Sequence, residues 1–320
     1  MDRSAFATEL DTDQEGLVGP WRAPRQLLAD QSYDAHASIH DDATAQRLGF
    51  RGGTIEGPTH FSQFAPLAHR LWGDRFFETG RISAHYRAPV YEGEEVRAIL
   101  TPAGVMSTHA GIRMEKRDGT EVLRGTASVG DDRTPSALEA RLAGLPHLEQ
   151  AVILRDLKVS DRTSRQTVRM AYDQHMGELY PFTLERKLTA ITEPSPWYDP
   201  ATAAASPWGR AIIPLEMISV LLQYRAREDR LRVRGPSVGL FADQEIHLLD
   251  GPLFVDEPYD IEREVVALSG SRRTESYWLK TTVFRAGETA PVAVMLLNHA
   301  VLKDSYAPYE AEHSDLFGGS

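Results

Sequence analysis

His40, Asp42, Glu56 and His60 crowd into about twenty residues that also hold Gly49-Phe50, Gly52-Gly53 and Gly57. Imidazoles and carboxyls are the side chains best placed to carry protons near neutral pH. Gly57 stands just ahead of an amphipathic run from Thr59 to Trp72. A helix starting there leaves its first N–H groups without intrahelical acceptors, so they can hold charge developing on a carbonyl oxygen. The chemistry open to this set is proton transfer beside a carbonyl, with Gly57 as oxyanion donor. His40, Glu56 or His60 would carry the proton.

Each of these residues also has a structural role open to it. His40 could cap the short helix that begins near Asp41. Glu56 could simply favour the positive end of the helix dipole. His60 and Glu216 each follow a proline by two residues, Pro58 and Pro214. They would face one crevice if the two helices pack side by side, and a carboxylate there keeps hydrolysis open. Tyr198 could donate to a carbonyl or enolate oxygen, or be a core aromatic with its hydroxyl satisfied. Arg225, Arg227, Arg230, Arg232 and Arg234 could receive a pantetheine phosphate or a carrier protein, or be a solvated helix end.

The elements that must position these groups occur twice. A helix over the Phe61, Phe64, Ala68, Leu71 face is followed by strands at Arg81–Arg87, Glu95–Thr101, Gly111–Lys116 and Val122–Val129. A second helix from Pro214 to about Ala226 is followed by strands at Ser237–Leu248, Tyr259–Leu268, Ser276–Phe284 and Val292–Leu302. Apolar spacing sets the helices and period-two alternation the strands. Asp118-Gly119 and Ala286-Gly287-Glu288 read as hairpin turns. Gly53–Pro58 matches Gly209–Pro214, and Val90–Glu94 loosely matches Val255–Tyr259. These matches imply a tandem duplication. A connector from Asp131 to about Ser164 carries a short helix at Ser136–Ala143. The expected fold is α+β, two units each with an antiparallel sheet wrapped around a long central helix, divided as residues 1–150 and 151–320.

The His-bearing loop, Gly-Phe, the glycine at the helix start and the strands together resemble the MaoC-like hydratase/dehydratase branch of the hotdog superfamily, in its double-hotdog form. The resemblance spans about Gly16 to Asp304. In that family an Asp-x-Asn-Pro-x-His loop supplies the acid/base pair, and a helix-start glycine donates to the thioester oxygen. The resemblance puts His40 at the histidine, Asp42 two residues beyond, and Gly57 at the helix start. Ala35 and Ala37 stand where the family has Asp and Asn, with Asp34 and His36 beside them. In the second half Glu193, Ser195 and Tyr198 stand at the Asp, Asn and His positions. Neither half carries the full motif.

Composition narrows the remaining classes. The chain has 320 residues, a net charge of −11 and no cysteine, which argues against nucleic acid and excludes thiolate chemistry. No apolar run reaches the roughly 20 residues of a membrane span. A cytoplasmic protein is expected. The sequence lacks His-Glu-x-x-His, dinucleotide and P-loop glycine patterns and the Gly-x-Ser-x-Gly elbow, so no metal or cofactor is expected. The expected function is a cofactor-independent lyase of the hydratase/dehydratase type. Its substrate would be a carbonyl-activated small molecule, CoA- or carrier-linked or a related metabolite. A cyclase or isomerase, an acyl-thioesterase and a non-catalytic binding subunit are the alternatives, and pairing into a homodimer is open.

Overall fold

The computed structural model describes residues 5–33 and 36–318, without the side chains of 33, 36 and 37. Its strands are β1 (Asp11–Asp13), β2 (Gly16–Val18), β3 (Ser32–Tyr33), β4 (His36–Ala37), β5 (Gly80–Tyr86), β6 (Val96–Pro102), β7 (His109–Lys116), β8 (Glu121–Val129), β9 (Gln166–Val168), β10 (Gly239–Leu248), β11 (Tyr259–Gly270), β12 (Thr274–Arg285) and β13 (Pro291–Leu302). β3 and β4 pair by themselves, and the other eleven form one sheet in the order β1-β2-β6-β7-β8-β5-β10-β13-β12-β11-β9. Leaving aside β1, each half lays its five strands down from the edge as first, third, fourth, fifth, second. The duplication read from the sequence is therefore a repeated topology. The halves join where β5 and β10 pair antiparallel, from Arg81↔His247 to His85↔Asp243.

Apolar helices lie side by side on one face of this sheet. The first starts as a 3-10 helix, Gly57–Phe64, and continues as an α-helix, Ala65–Trp72. Pro66 has no N–H to give back to Ser62, which is why a single regular α-helix does not run through this segment. The second helix, Leu215–Gln223, is buried at every residue. It packs against Gly57–Phe64. It stops short of Ala226 because the following run, Arg225 to Arg230, has no apolar face to bury. The central helices are thus shorter and more broken than the sequence pattern implied.

The connector covers the seam from outside. Ser136 caps helix Ala137–Ala143 in a capping box with Glu139, as the Ser-x-x-Glu spacing requires. At the seam Arg81 lies 2.6 Å from Glu139 and 2.7 Å from Glu245. Asp243, fully buried, accepts from Asn298 at 2.7 Å and pairs with Arg141 at 3.0 Å. The two halves of the sheet are therefore locked by charge as well as by strand pairing.

The structure also corrects the register of the repeat. The Ile55 N–H bonds Val90 O, and the Ile213 N–H bonds Leu253 O, both at 2.8 Å. Thr54 bridges Tyr91 as Ile212 bridges Phe254. Gly57 therefore corresponds to Leu215, and Val90-Tyr91 to Leu253-Phe254. Aligning Pro58 with Pro214 misplaces the helices by two residues, because Pro58 sits within the first turn while Pro214 is the N-cap. His60 and Glu216 are not equivalent positions.

Candidate functional site

Between the two helix starts, and running along the sheet, lies a cavity of about 760 Å³. His40, Glu56, Gly57, His60, Lys187 and Glu216 line one end.

His40 closes a turn after β4, and its Nδ1 lies 2.6 Å from Thr54 O. A carbonyl can only accept, so Nδ1 carries the proton and the neutral ring keeps its lone pair on Nε2. Burial lowers the pKa of His40, against an opposing pull from Glu56. The result is a neutral imidazole of fixed tautomer, which is what a general base needs.

Gly57 opens the 3-10 helix where no side chain fits. A Cβ there would meet the Tyr86 ring at 2.7 Å, and the ring is pinned by its hydroxyl donating to Gln244 Oε1 at 2.9 Å. Gly57→Ala is accordingly expected to cost about 1–3 kcal/mol through overpacking and to displace the backbone of this cavity-lining residue. Thermal melting and turnover measured together check this, since both should fall.

Glu56, Lys187 and Glu216 form a buried charge cluster. Lys187 Nζ lies 3.5 Å from Glu56, 3.2 Å from Glu216 and 3.0 Å from Thr59 Oγ1. Glu56 also accepts from Thr59 Oγ1 at 2.6 Å and the Leu27 N–H at 3.3 Å. Burial pushes Glu56 up, but Lys187, His40 and these donors outweigh it and hold it below its ordinary range. Glu216 goes the other way, raised chiefly by burial, with Lys187 as partial relief. Burial alone would depress Lys187, yet the two carboxyls keep it raised and charged. Two carboxyls thus share one ammonium, with opposite shifts: Glu56 is held more acidic than an ordinary carboxyl, and Glu216 is held less acidic. His60 is 2% exposed, its Nδ1 has no partner, and burial brings its pKa down to about 4. It is neutral at pH 7.

Among the remaining sequence candidates, Asp42 accepts from the Gly53 N–H at 2.7 Å. It braces the glycine loop and does not line the cavity. Asp34 lies outside the described residues, as does the side chain of His36. Tyr198 does occupy the His40 position of the second half, since Thr54 N–H bonds Ile39 O as Ile212 N–H bonds Trp197 O. There, however, the buried Phe6 ring sits 6.2 Å from Tyr198 and 6.3 Å from Trp197. Glu193 is taken by Arg22 at 2.7 Å and by Thr8. An N-terminal aromatic therefore fills the pseudo-symmetric counterpart of the cavity.

Lys187 escaped the sequence reading. Its only signal is a lysine on the apolar stripe Leu184, Lys187, Leu188 of the short helix Leu184–Leu188, where a charge needs a buried partner. Among the described residues, no group of three or more His, Asp or Glu is arranged to hold a metal ion. No described helix is long and apolar enough to cross a membrane.

Two helix-and-sheet units of identical strand order, joined edge to edge with their helices adjacent, constitute a tandem hotdog arrangement. No protein-family model matches the chain, and neither does any curated protein sequence. Among solved structures it is similar to a MaoC domain dehydratase from Chloroflexus aurantiacus, at 14% identity over 93% of this chain and 94% of that one, with a TM-score of 0.48. A double-hotdog protein from Mycobacterium tuberculosis is 12% identical over 82% of this chain and 87% of its own, TM-score 0.45. An (R)-hydratase from A. caviae is 22% identical, covering 46% of this chain and 96% of its own, TM-score 0.32. These are likenesses of backbone path, and the chemistry is read from the cavity's own residues.

Proposed function

We propose that the chain, as two units over residues 1–150 and 151–320, is a cofactor-independent lyase of the hydratase/dehydratase type. It acts on a carbonyl-activated small molecule, an acyl thioester or related metabolite, in the cavity at Gly57. In the dehydration direction His40 Nε2 takes the proton alpha to the carbonyl. The Gly57 N–H holds the enolate oxygen. The electron pair then expels the β-hydroxyl, which leaves as water with the proton held by Glu216. Hydration is the reverse.

The observation that carries this is the His40 Nδ1 contact with Thr54 O, which leaves a lone pair on the cavity-lining ring beside the helix start. Glu216 supports it as the carboxyl of the cluster whose proton affinity burial raises. Hydrolysis by Glu56 is less well supported, because Thr59, Leu27 and Lys187 already occupy its oxygens.

The test is incubation of the full chain in D₂O with crotonyl-CoA and a series of 2-enoyl and 3-hydroxyacyl thioesters. Hydration or dehydration, with deuterium entering at the α-carbon, is the expected result. Thioester cleavage without α-exchange would select a hydrolase, and no turnover of any substrate would overturn the lyase.

A further inference from the structure

The far end of the cavity carries polar groups that proton transfer at Gly57 does not use. Gln223, which ends helix Leu215–Gln223, is 3% exposed, and its Nε2 has no hydrogen-bond partner. The Asp229 side chain is 1% exposed. Arg263 Nη1 holds Asp229 Oδ1 at 2.6 Å, while Oδ2 is buried without a partner. His299 Nε2 is also buried and unpartnered. Burial, with Arg263 nearby, brings that ring down to about 3, so it is neutral. All three side chains line the cavity.

They border an aromatic row. Phe241, His299 and Tyr277 stand in one cross-strand row over β10, β13 and β12. His299 and Tyr277 stack with centroids 4.7 Å apart and planes at 5°, and Phe241 meets His299 edge-on at 5.1 Å. Tyr180 also lines the cavity, and burial together with Glu56 pushes its hydroxyl well above the ordinary phenol range.

An orphaned buried polar atom costs about 1–3 kcal/mol, and native structures keep such atoms where something supplies the missing bond. Here an acceptor (Asp229 Oδ2), a donor (Gln223 Nε2) and an imidazole nitrogen able to do either flank an aromatic row. A saturated acyl chain would leave all three unpaired. A cation has little to gain, because Arg263 already balances Asp229. An uncharged aromatic ring with oxygens at its edge can pack against that row and pair the polar atoms.

We propose that this end of the cavity is a subsite for a planar, hydroxylated ring of the substrate, its hydroxyl donating to Asp229 and an edge oxygen accepting from Gln223. The assignment rests on the lyase reading of the cavity, and its test is one of binding, so the two can fail separately. The probes are 2,4-dihydroxyacetophenone and acetophenone, titrated against the full chain by calorimetry or ligand-observed NMR. The wild type should prefer the dihydroxylated ring by about tenfold or more, each hydrogen bond to a buried group being worth roughly that factor. Gln223→Met and His299→Phe should each remove most of the preference between the two probes. His40→Ala should keep the preference whether or not turnover exists. Equal affinity of the wild type for the two probes would overturn the subsite, as would a preference that survives both variants. The wild-type comparison stands even where a variant fails to fold.

Discussion

His40→Gln is expected to lower kcat/KM for the hydrated or dehydrated thioester by about 10²–10⁴, the usual contribution of a general base. Glutamine can still donate to Thr54 O and keep the loop closed, so the melting temperature should stay near that of the wild type. The sign of the pH effect follows from the direction of the His40 shift. Burial lowers its pKa from 6.5, and the working form is the neutral ring. Activity should therefore hold as pH falls to 6.5 and decline only below it, and this acid limb should vanish from the residual activity of the variant. An unchanged kcat/KM in His40→Gln would remove the proposed base. Asp42→Asn is the comparison: that carboxylate braces Gly53 and lies off the cavity, so a much smaller loss is expected.

Lys187→Met should be the most destabilising change in the site, at about 3–5 kcal/mol, because it strands buried carboxyl groups without their cation. Methionine matches the stem in volume, so the loss reports charge rather than packing. In the wild type the raised Lys187 pKa contributes stability that is present below 10.5 and lost as pH climbs through the raised value. The depressed Glu56 pKa contributes stability that is present above 4.5 and lost as pH falls through the depressed value. Without the ammonium, Glu56 takes up a proton more readily, so the deficit of the variant should shrink from pH 8 toward pH 5. Glu216→Gln mimics a carboxyl already inclined to keep its proton, and should change stability little while reducing dehydration. Urea or thermal unfolding across this range checks both. A pH-independent deficit in Lys187→Met would show that packing, not charge, is what the lysine supplies.

The open cavity and its filled counterpart show how a duplicated unit becomes asymmetric. Ile39 and Trp197 make equivalent backbone bonds, so both loops turn in the same way. In one, His40 meets a carbonyl and a void. In the other, Tyr198 meets Phe6, with His69, Phe77 and Trp208 close behind Trp197. Burying aromatic surface of this kind stabilises the fold by several kcal/mol, and it closes a site whose loop carries no histidine.

Local physics was enough to read the strands and helix starts from the sequence. Alternation along Tyr277–Phe284 and apolar spacing along Leu215–Leu222 act over a few residues, and Ser136-x-x-Glu139 caps its helix unaided. His40, Glu56, Gly57 and His60 were legible as a group because glycines and titratable side chains lie within one segment. The register of the repeat was not, since prolines alike in sequence occupy different helical positions. Lys187 reaches Glu56 across 131 residues, and Gln223, Asp229 and His299 meet only when helix end and sheet are folded together. Only tertiary packing decides which of these polar groups lose water and which partners they then find, and that balance sets their proton affinities and their use.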